Sequence, residues 1–151
     1  MAVINLDHTI TNWEDATQWQ TNIDSGKVKI ANRVKVSVPN PTPVKNDSPI
    51  GTGPQQITDG FDWKLEGTDA NRNAFNDDFY KSLNLKSVYI VLWNQDESEI
   101  IVIDEPARFT ASPTFPASNR ERQQYALEAE WSSRPNWFPT TFAEPAGIFE
   151  E

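Results

Sequence analysis

The sequence of 151 residues contains no cysteine, and this absence excludes several kinds of chemistry at once. Without thiols the chain can form neither a disulfide nor a cysteine metal site. Histidine occurs once, as His8 near the start of the sequence, where we expect a surface residue. Glycine is scarce, and no phosphate-cradling loop, nucleophile elbow or dinucleotide fingerprint is present. The sequence therefore predicts a protein that is not an enzyme and that has no cofactor, metal or small-molecule substrate.

Long hydrophobic runs and an excess of basic residues are also missing. No apolar run approaches the ~20 residues that span a bilayer, and the first residues lack the basic and apolar regions of a signal peptide. We therefore expect a soluble protein made in the cytoplasm, without a membrane partner. The formal net charge of −9 argues against tight binding of nucleic acid, which needs clustered lysine and arginine. It is compatible with a surface along which DNA passes without sticking.

One short segment approaches the pattern of a calcium-binding loop. Asp69, Asn71 and Asn73 have the one-three-five spacing of such a loop. The pattern then fails, because Ala74 stands where glycine is required and Tyr80 where a bidentate glutamate belongs. We interpret the segment as an Asx-rich turn that precedes a helix.

The chain is organised around an apolar stretch at residues 88–103. Two runs of β-branched and aromatic residues, 88–93 and 100–103, flank a polar turn, which predicts a β-hairpin. Neither run alternates apolar with polar residues, so both faces of the hairpin must be covered. Since a chain of this size has one core to offer, we expect a helix of the chain or a neighbouring subunit to cover the second face.

The remaining regular segments predict a mainly β fold. Alternating patterns of apolar and polar residues predict further strands at residues 27–38, 61–66, 107–112 and 124–132. A short helix is predicted near 76–84, with Phe75, Phe79 and Leu83 on one face. We therefore predict an antiparallel β-sandwich or barrel with one short α-helix, a long central loop and extended N- and C-terminal arms.

Three segments lack a regular pattern of apolar and polar residues. Residues 1–26 form an N-terminal arm, residues 39–58 a long projecting loop within the core at 27–133, and residues 134–151 a proline- and aromatic-rich tail. A single copy would leave their apolar side chains exposed, and exposed apolar area of that extent marks interfaces. We therefore expect a multi-copy assembly. The candidate subunit-interface residues are Trp13, Trp19, Pro41, Ile50, Trp137, Phe138, Phe142, Ile148 and Phe149.

The order of these elements resembles that of the tail tube proteins of long-tailed bacteriophages, a fold shared with the inner-tube proteins of contractile injection systems. The resemblance covers roughly residues 27–133 and lies in the layout of strands, loop, helix and hairpin, not in a motif. It implies a virion structural protein that forms hexameric rings stacked into a tube for DNA passage. The partners that it implies are further copies of the chain and other tail proteins, and it brings no catalytic residues.

Acidic residues on the polar side of two predicted strands fit a tube. Carboxylates lining a lumen would repel the DNA backbone, so that DNA passes without tight binding. The candidate lumen-facing residues are Asp62, Glu66, Glu128 and Glu130.

Other functions remain open at this point. Within the virion, a tail-terminator, a head–tail connector or a capsid-decorating protein would have a similar composition. Outside this class, a carbohydrate-binding β-sandwich could use Trp13, Trp19 and Trp137 as platforms that stack on sugars.

Overall fold

The structure is a computed structural model that describes residues 1–31, 34–48, 55–94, 98–115 and 123–149. Within these ranges there are nine β-strands and two α-helices, and the strand pairs of known register are antiparallel. The prediction of a mainly β, antiparallel fold is confirmed, with one helix more than predicted. In chain order the elements are β1 (Ala2–Asn5), α1 (Ala16–Asp24), β2 (Val28–Ile30), β3 (Val34–Ser37), β4 (Thr42–Ser48), β5 (Gln55–Asp69), α2 (Ala74–Leu83), β6 (Ser87–Asn94), β7 (Glu99–Thr114), β8 (Gln124–Ser133) and β9 (Thr140–Ala143).

The chain divides into two compact units, and β7 contributes to both. The first unit comprises Met1–Val34, Ser87–Pro106 and Pro139–Glu151, and the second comprises Lys35–Lys86 and Ala107–Phe138. In the first unit the strand order is β2-β1-β6-β7, and β9 also pairs with β7. In the second unit the order is β7-β8-β5-β3, and β4 also pairs with β5.

The apolar hairpin is present as β6 and the first part of β7, and both of its faces are buried within the chain. Val91, Ile100 and Val102 belong to one core cluster and are at most 1% exposed. Val88 and Ile90 alternate with Val91 along β6, so they lie on the opposite face, and they are equally buried. The hairpin therefore does not need a neighbouring subunit to cover it, and the expectation of assembly cannot rest on this hairpin.

The amino-terminal segment forms β1 and α1, so the prediction of an extended arm at 1–26 is wrong. The helix begins after Asp15, whose carboxylate accepts hydrogen bonds from the backbone N–H groups of Thr17 at 2.9 Å and Gln18 at 3.4 Å. Its Trp19 is fully buried in the core of the first unit, and the indole N–H donates to the carbonyl of Trp13 at 2.8 Å. Trp19 therefore covers one face of the hairpin.

The end of the chain also joins the first unit. β9 pairs with β7, and Phe142 lies opposite Ile100. Phe149 is 4% exposed, with its ring centroid 4.2 Å from that of Trp93 and 5.0 Å from that of Trp19. The predicted C-terminal tail at 134–151 therefore lies against its own chain from Thr140 to Phe149, and Phe149 is part of the core.

Helix α2 is confirmed, and its buried side includes Leu83 of the predicted face but not Phe75. It begins after Asn73, whose side chain accepts a backbone N–H of the first turn. Tyr80 and Leu83 are buried, and the Tyr80 ring stacks 6.4 Å from that of Phe109. Phe75, which was expected on the packed face, is 78% exposed. The buried side of α2 therefore includes Tyr80, and Phe75 lies outside it.

Much of the predicted loop at 39–58 is a pair of strands. β4 pairs with the first part of β5, with a bulge between Val44 and Lys45. β8 pairs with β5 only from Phe61 onward. The segments Lys45–Ser48 and Gln55–Thr58 therefore pair only with each other in the part of the chain that the structure describes. We call these two segments the ribbon; residues 49–54, which connect them, lie outside the described residues.

Replacing Gly67 by alanine is expected to destabilise the second unit. A Cβ atom at this position would lie 2.7 Å from Cγ1 of Val36 and 2.8 Å from the carbonyl oxygen of Lys35, so β3 would have to move away from β5. We expect a loss of about 1–3 kcal/mol in the free energy of unfolding, the range for overpacked sites, measured by urea denaturation. Adding Val36→Ala should not restore stability, because the backbone clash with Lys35 remains. Wild-type stability of Gly67→Ala would contradict this packing.

Candidate functional surface

The four predicted acidic residues lie on one exposed face of β5 and β8 in the second unit. The antiparallel register places Asp62 opposite Ser132 and Glu66 opposite Glu128. Residues at every second position point to the same side of a strand, so these side chains share a face. We call the face the charged face. Its ionisable residues are Asp62, Lys64, Glu66, Arg108, Glu128 and Glu130.

Two cations on this face lie among the carboxylates. Lys64 Nζ is 2.9 Å from Glu66 Oε1 and 3.4 Å from Glu128 Oε1, and the hydrogen bond to Glu66 is the main cause that raises the pKa of Lys64. Arg108 lies opposite Glu130 in the β7–β8 register. Exposed pairs of this kind contribute little to stability. Lys64 was visible in the alternation of the sequence, whereas Arg108 joins the face only through the register of β7 on β8.

The charged face is open to solvent and carries an excess of negative charge. Four carboxylates and two cations leave it net negative, and Ser132 Oγ donates to Asp62 Oδ1 at 2.7 Å. In the described residues, no group of three or more histidine, aspartate or glutamate side chains is arranged to hold a metal ion. Such a surface disfavours contact with phosphates, because it has more negative than positive charge.

The structure separates the candidate interface residues into buried and exposed ones. Trp19 and Phe149 lie in the core of the first unit, where they cannot reach a partner in this conformation, so as interface candidates they are corrected. The half-buried candidates Trp13, Phe142 and Ile148 pack against the same core cluster. Four candidates remain: Pro41 is half-buried, Ile50 lies outside the described residues, and Trp137 and Phe138 belong to the second unit.

Trp137 and Phe138 differ sharply in exposure. The Trp137 ring contacts Trp63 and Trp131 edge-on, at centroid distances of 5.4 and 6.3 Å. Trp63 and Trp131 stack on each other at 6.0 Å, and the Trp63 indole N–H donates to Ser133 Oγ at 2.8 Å. Phe138, the next residue, is 77% exposed. An anchored tryptophan thus holds an exposed phenylalanine at a defined place on the second unit.

The aromatic residues proposed as a sugar platform are packed within the chain. The Trp13 ring lies 5.9 Å from Trp19 and 6.5 Å from Phe142, and Trp137 is packed as described above. His8 packs 5.4 Å from Trp13, and its Nδ1 accepts the N–H of Ile10 at 3.1 Å. Desolvation lowers the pKa of His8. These contacts fit a structural role for the rings, and they do not favour the carbohydrate-binding alternative.

The segment that resembled a calcium loop is a hydrogen-bonded turn. Asp69 is 3% exposed, and its carboxylate accepts the Tyr80 hydroxyl at 2.6 Å and the Asn71 N–H at 2.8 Å. On the adjacent side, the Tyr125 hydroxyl donates to Asp77, and this bond is the main cause that lowers the pKa of Asp77. The carboxylate of Asp69 is therefore engaged by donors from its own chain, in keeping with an Asx-rich turn.

Two tyrosines in this cluster are expected to titrate at unusually high pH. Burial is the main cause that raises the pKa of Tyr125 to about 12 and that of Tyr80 further, and each hydrogen bond to a carboxylate adds to the effect. Because the folded pKa exceeds the unfolded value near 10, the stabilisation is complete below pH 10 and is lost as the pH rises through about 12. Absorbance at 295 nm should show two phenols ionising late and together with unfolding. In Tyr125→Phe one late transition should disappear; ionisation of all tyrosines near pH 10 before unfolding would contradict the burial.

The comparisons with known proteins give limited information. No family model matches the chain, and no curated protein matches it. No helix in the described ranges is long and apolar enough to cross a bilayer. One solved structure that matches is a chain from the tail of an empty GTA particle, obtained by helical refinement with C6 symmetry. It is 13% identical over 74% of this chain and 89% of that chain, with a TM-score of 0.42. This is a coarse likeness to a tail protein, and no family follows from it.

Proposed function

We propose that this protein is a non-enzymatic structural subunit of a phage-type tail. More specifically, we propose the tail tube subunit, which forms rings that stack into a conduit for DNA. The hexameric state of the ring is what the layout of the sequence implies by resemblance. The partners are further copies of the chain and other tail proteins.

The single observation that carries the proposal is the ribbon. It is two strands wide, and its pairing partners in the described chain are its own two segments. A two-stranded hairpin is marginally stable alone in water and needs a packing partner to be ordered. A ribbon at the edge of an otherwise well-filled unit is therefore best explained as an element that docks on another copy.

The exposed ring of Phe138 supports a second contact between copies. A phenylalanine that is 77% exposed contributes little to the stability of a lone subunit. Its backbone is held in place because Trp137 is anchored on Trp63 and Trp131. Pre-positioned aromatic side chains are typical anchors of protein interfaces.

The charged face supports the role in DNA passage. Its excess of carboxylates would keep the phosphate backbone from binding, since affinity for DNA needs clustered cations. In a ring, this face of β5 and β8 is our candidate for the lumen, as the sequence suggested for Asp62, Glu66, Glu128 and Glu130.

The Phe138→Ser variant tests the proposal. We expect the sedimentation coefficient of the wild-type protein to rise with concentration. For Phe138→Ser the same rise should need a protein concentration at least about tenfold higher, which corresponds to a loss of about 1.4 kcal/mol in the free energy of association. Phe75→Ser, which removes an equally exposed ring from α2, is the matched control and should associate like the wild type. Circular dichroism should be unchanged in both variants. A wild-type chain that stays monomeric at every concentration would refute self-assembly, whereas equal association of all three proteins would remove only Phe138 from the interface.

A further inference from the structure

The outer edge of β4 is open to pairing in the second unit. β4 pairs with β5 on one side, and in the described ranges no strand pairs with it on the other. An open strand edge carries a row of unpaired N–H and C=O groups and is a template for addition of a strand from another chain. A protein that works at high local concentration has to control such an edge.

Three prolines with a period of two lead into this edge: Pro39 and Pro41 precede β4, and Pro43 lies within it. Proline has no backbone N–H to donate. Pro43 lies within the ladder, opposite Phe61, and pairing continues at Val44 opposite Gly60. Since Pro43 cannot donate to β5, its place in the ladder is a non-hydrogen-bonded pair, in which the backbone nitrogen faces away from the partner strand.

The spacing of two residues determines which edge the backbone nitrogen atoms of the other two prolines face. Backbone N–H groups of an extended chain alternate between its two edges, so the nitrogen atoms of Pro41 and Pro39 also face outward where the backbone stays extended. Pro39 and Pro43 are exposed and Pro41 is half-buried, so the edge is accessible to solvent. An incoming strand would therefore lose a donor at Pro43, and two further donors where it continues past Pro41 and Pro39.

An irregularity in the ladder directly after Val44 acts in the same direction. The register of β4 on β5 shifts between Val44 and Lys45, because these two residues lie opposite Gly60 and Thr58, so that β5 has one residue more at this point. Such an extra residue bends its strand and increases the local twist of the pair, which also disfavours the addition of a further strand.

We propose that Pro39, Pro41 and Pro43 form an edge block, which prevents a second copy of this chain from adding a strand to the outer edge of β4. The block acts at the start of β4 and leaves the ribbon, which begins at Lys45, free to dock on another copy. The block does not depend on the tail proposal, because uncontrolled edge pairing would harm a protein of any function. It differs from simple stiffening of the chain by proline, which would lower the entropy of the unfolded state without regard to edge direction.

A pair of triple variants separates these two effects. Replacing the three prolines by threonine restores three outward N–H groups with residues that favour strands. Replacing them by lysine restores the same N–H groups and removes the same rings, but adds charges that themselves protect an edge. Each restored backbone hydrogen bond favours association by roughly two- to tenfold. We therefore expect the threonine variant to form thioflavin-positive, pelletable material at a concentration at least about tenfold below that at which the wild type does so.

The lysine variant should remain as dispersed as the wild type, and the far-UV circular dichroism of both variants should be unchanged when freshly diluted. A threonine variant that behaves like the wild type would overturn the edge block. Equal aggregation of the threonine and lysine variants would overturn it as well, because lost stiffness would then be the cause. Either result can be distinguished from assembly into rings, which is followed separately by sedimentation velocity.

Discussion

A variant without the ribbon is expected to be folded and unable to assemble. Residues 46–57 are deleted, and Lys45 is joined to Thr58, its partner in the ladder, through an Asn-Gly turn that suits a tight hairpin. We expect the apparent association constant, measured by sedimentation velocity, to fall by more than about a hundredfold, since removal of a docking element costs a few kcal/mol. The melting temperature should change little, because a two-stranded ribbon adds little to the stability of one copy.

A smaller deletion serves as the matched control. Replacing only residues 49–54 by Asn-Gly keeps the ribbon, closed at the pair Ser48–Gln55. If the strands of the ribbon make the contact, this variant should retain most of the association; if the connecting segment makes it, both variants should fail. Assembly of the variant without the ribbon at the wild-type level would show that the ribbon has no part in the interface. Global unfolding of that variant would show that the ribbon belongs to the core.

Removing residues 139–151 is expected to unfold the first unit. The deletion takes away β9 and the ring of Phe149, which packs against Trp93 and Trp19. Loss of this ring alone, in Phe149→Ala, should cost about 3–5 kcal/mol, as for other buried aromatic residues. The free energy of unfolding from urea denaturation measures the loss.

Phe138→Ala is the control for Phe149→Ala. It removes the same ring from the same end of the chain, but at a site that is 77% exposed. Its effect on stability should lie within about 0.5 kcal/mol, the usual range for surface substitutions. If Phe149→Ala were as stable as Phe138→Ala, the end of the chain would not be part of the core, and the tail would again be a candidate for contacts between copies.

The elements predicted well are those whose periodicity is strong and local. β8 alternates strictly from Tyr125 to Trp131, and its burial alternates in the same way. The helix at α2 was visible from its Asn73 cap and its acidic first turn. The face it buries was not visible, because Tyr80 packs on Phe109 and Tyr125, and those contacts join residues far apart in the sequence.

The missed elements have weak local signals and strong tertiary contacts. α1 is mainly polar, and Trp19 is buried by partners that include Phe149 at the other end of the chain. The carboxylate of Asp15 caps the helix, but the side chains of Thr11 and Asn12 are also of types that cap helices, so the start of α1 is ambiguous in the sequence. β4 was missed because Pro41 and Pro43 argue against a strand, although an edge strand tolerates proline where its nitrogen faces away from the ladder.

The acidic residues of the charged face could be predicted, because side chains at every second position of a strand point to the same side. Arg108 could not, since its place beside Glu130 depends on the register of β7 on β8. The burial of two candidate interface residues could not be predicted for a related reason. Exposure of an aromatic residue depends on which distant segment covers it, and Trp19 and Phe149 cover each other.

Electron micrographs of the purified wild-type chain at increasing concentration test self-assembly most directly. We predict annular particles with a central channel, six copies to a ring, and short stacks at the highest concentrations. A field of single compact particles at every concentration, from a protein whose circular dichroism shows it to be folded, would contradict the proposal that copies of this chain build a tube.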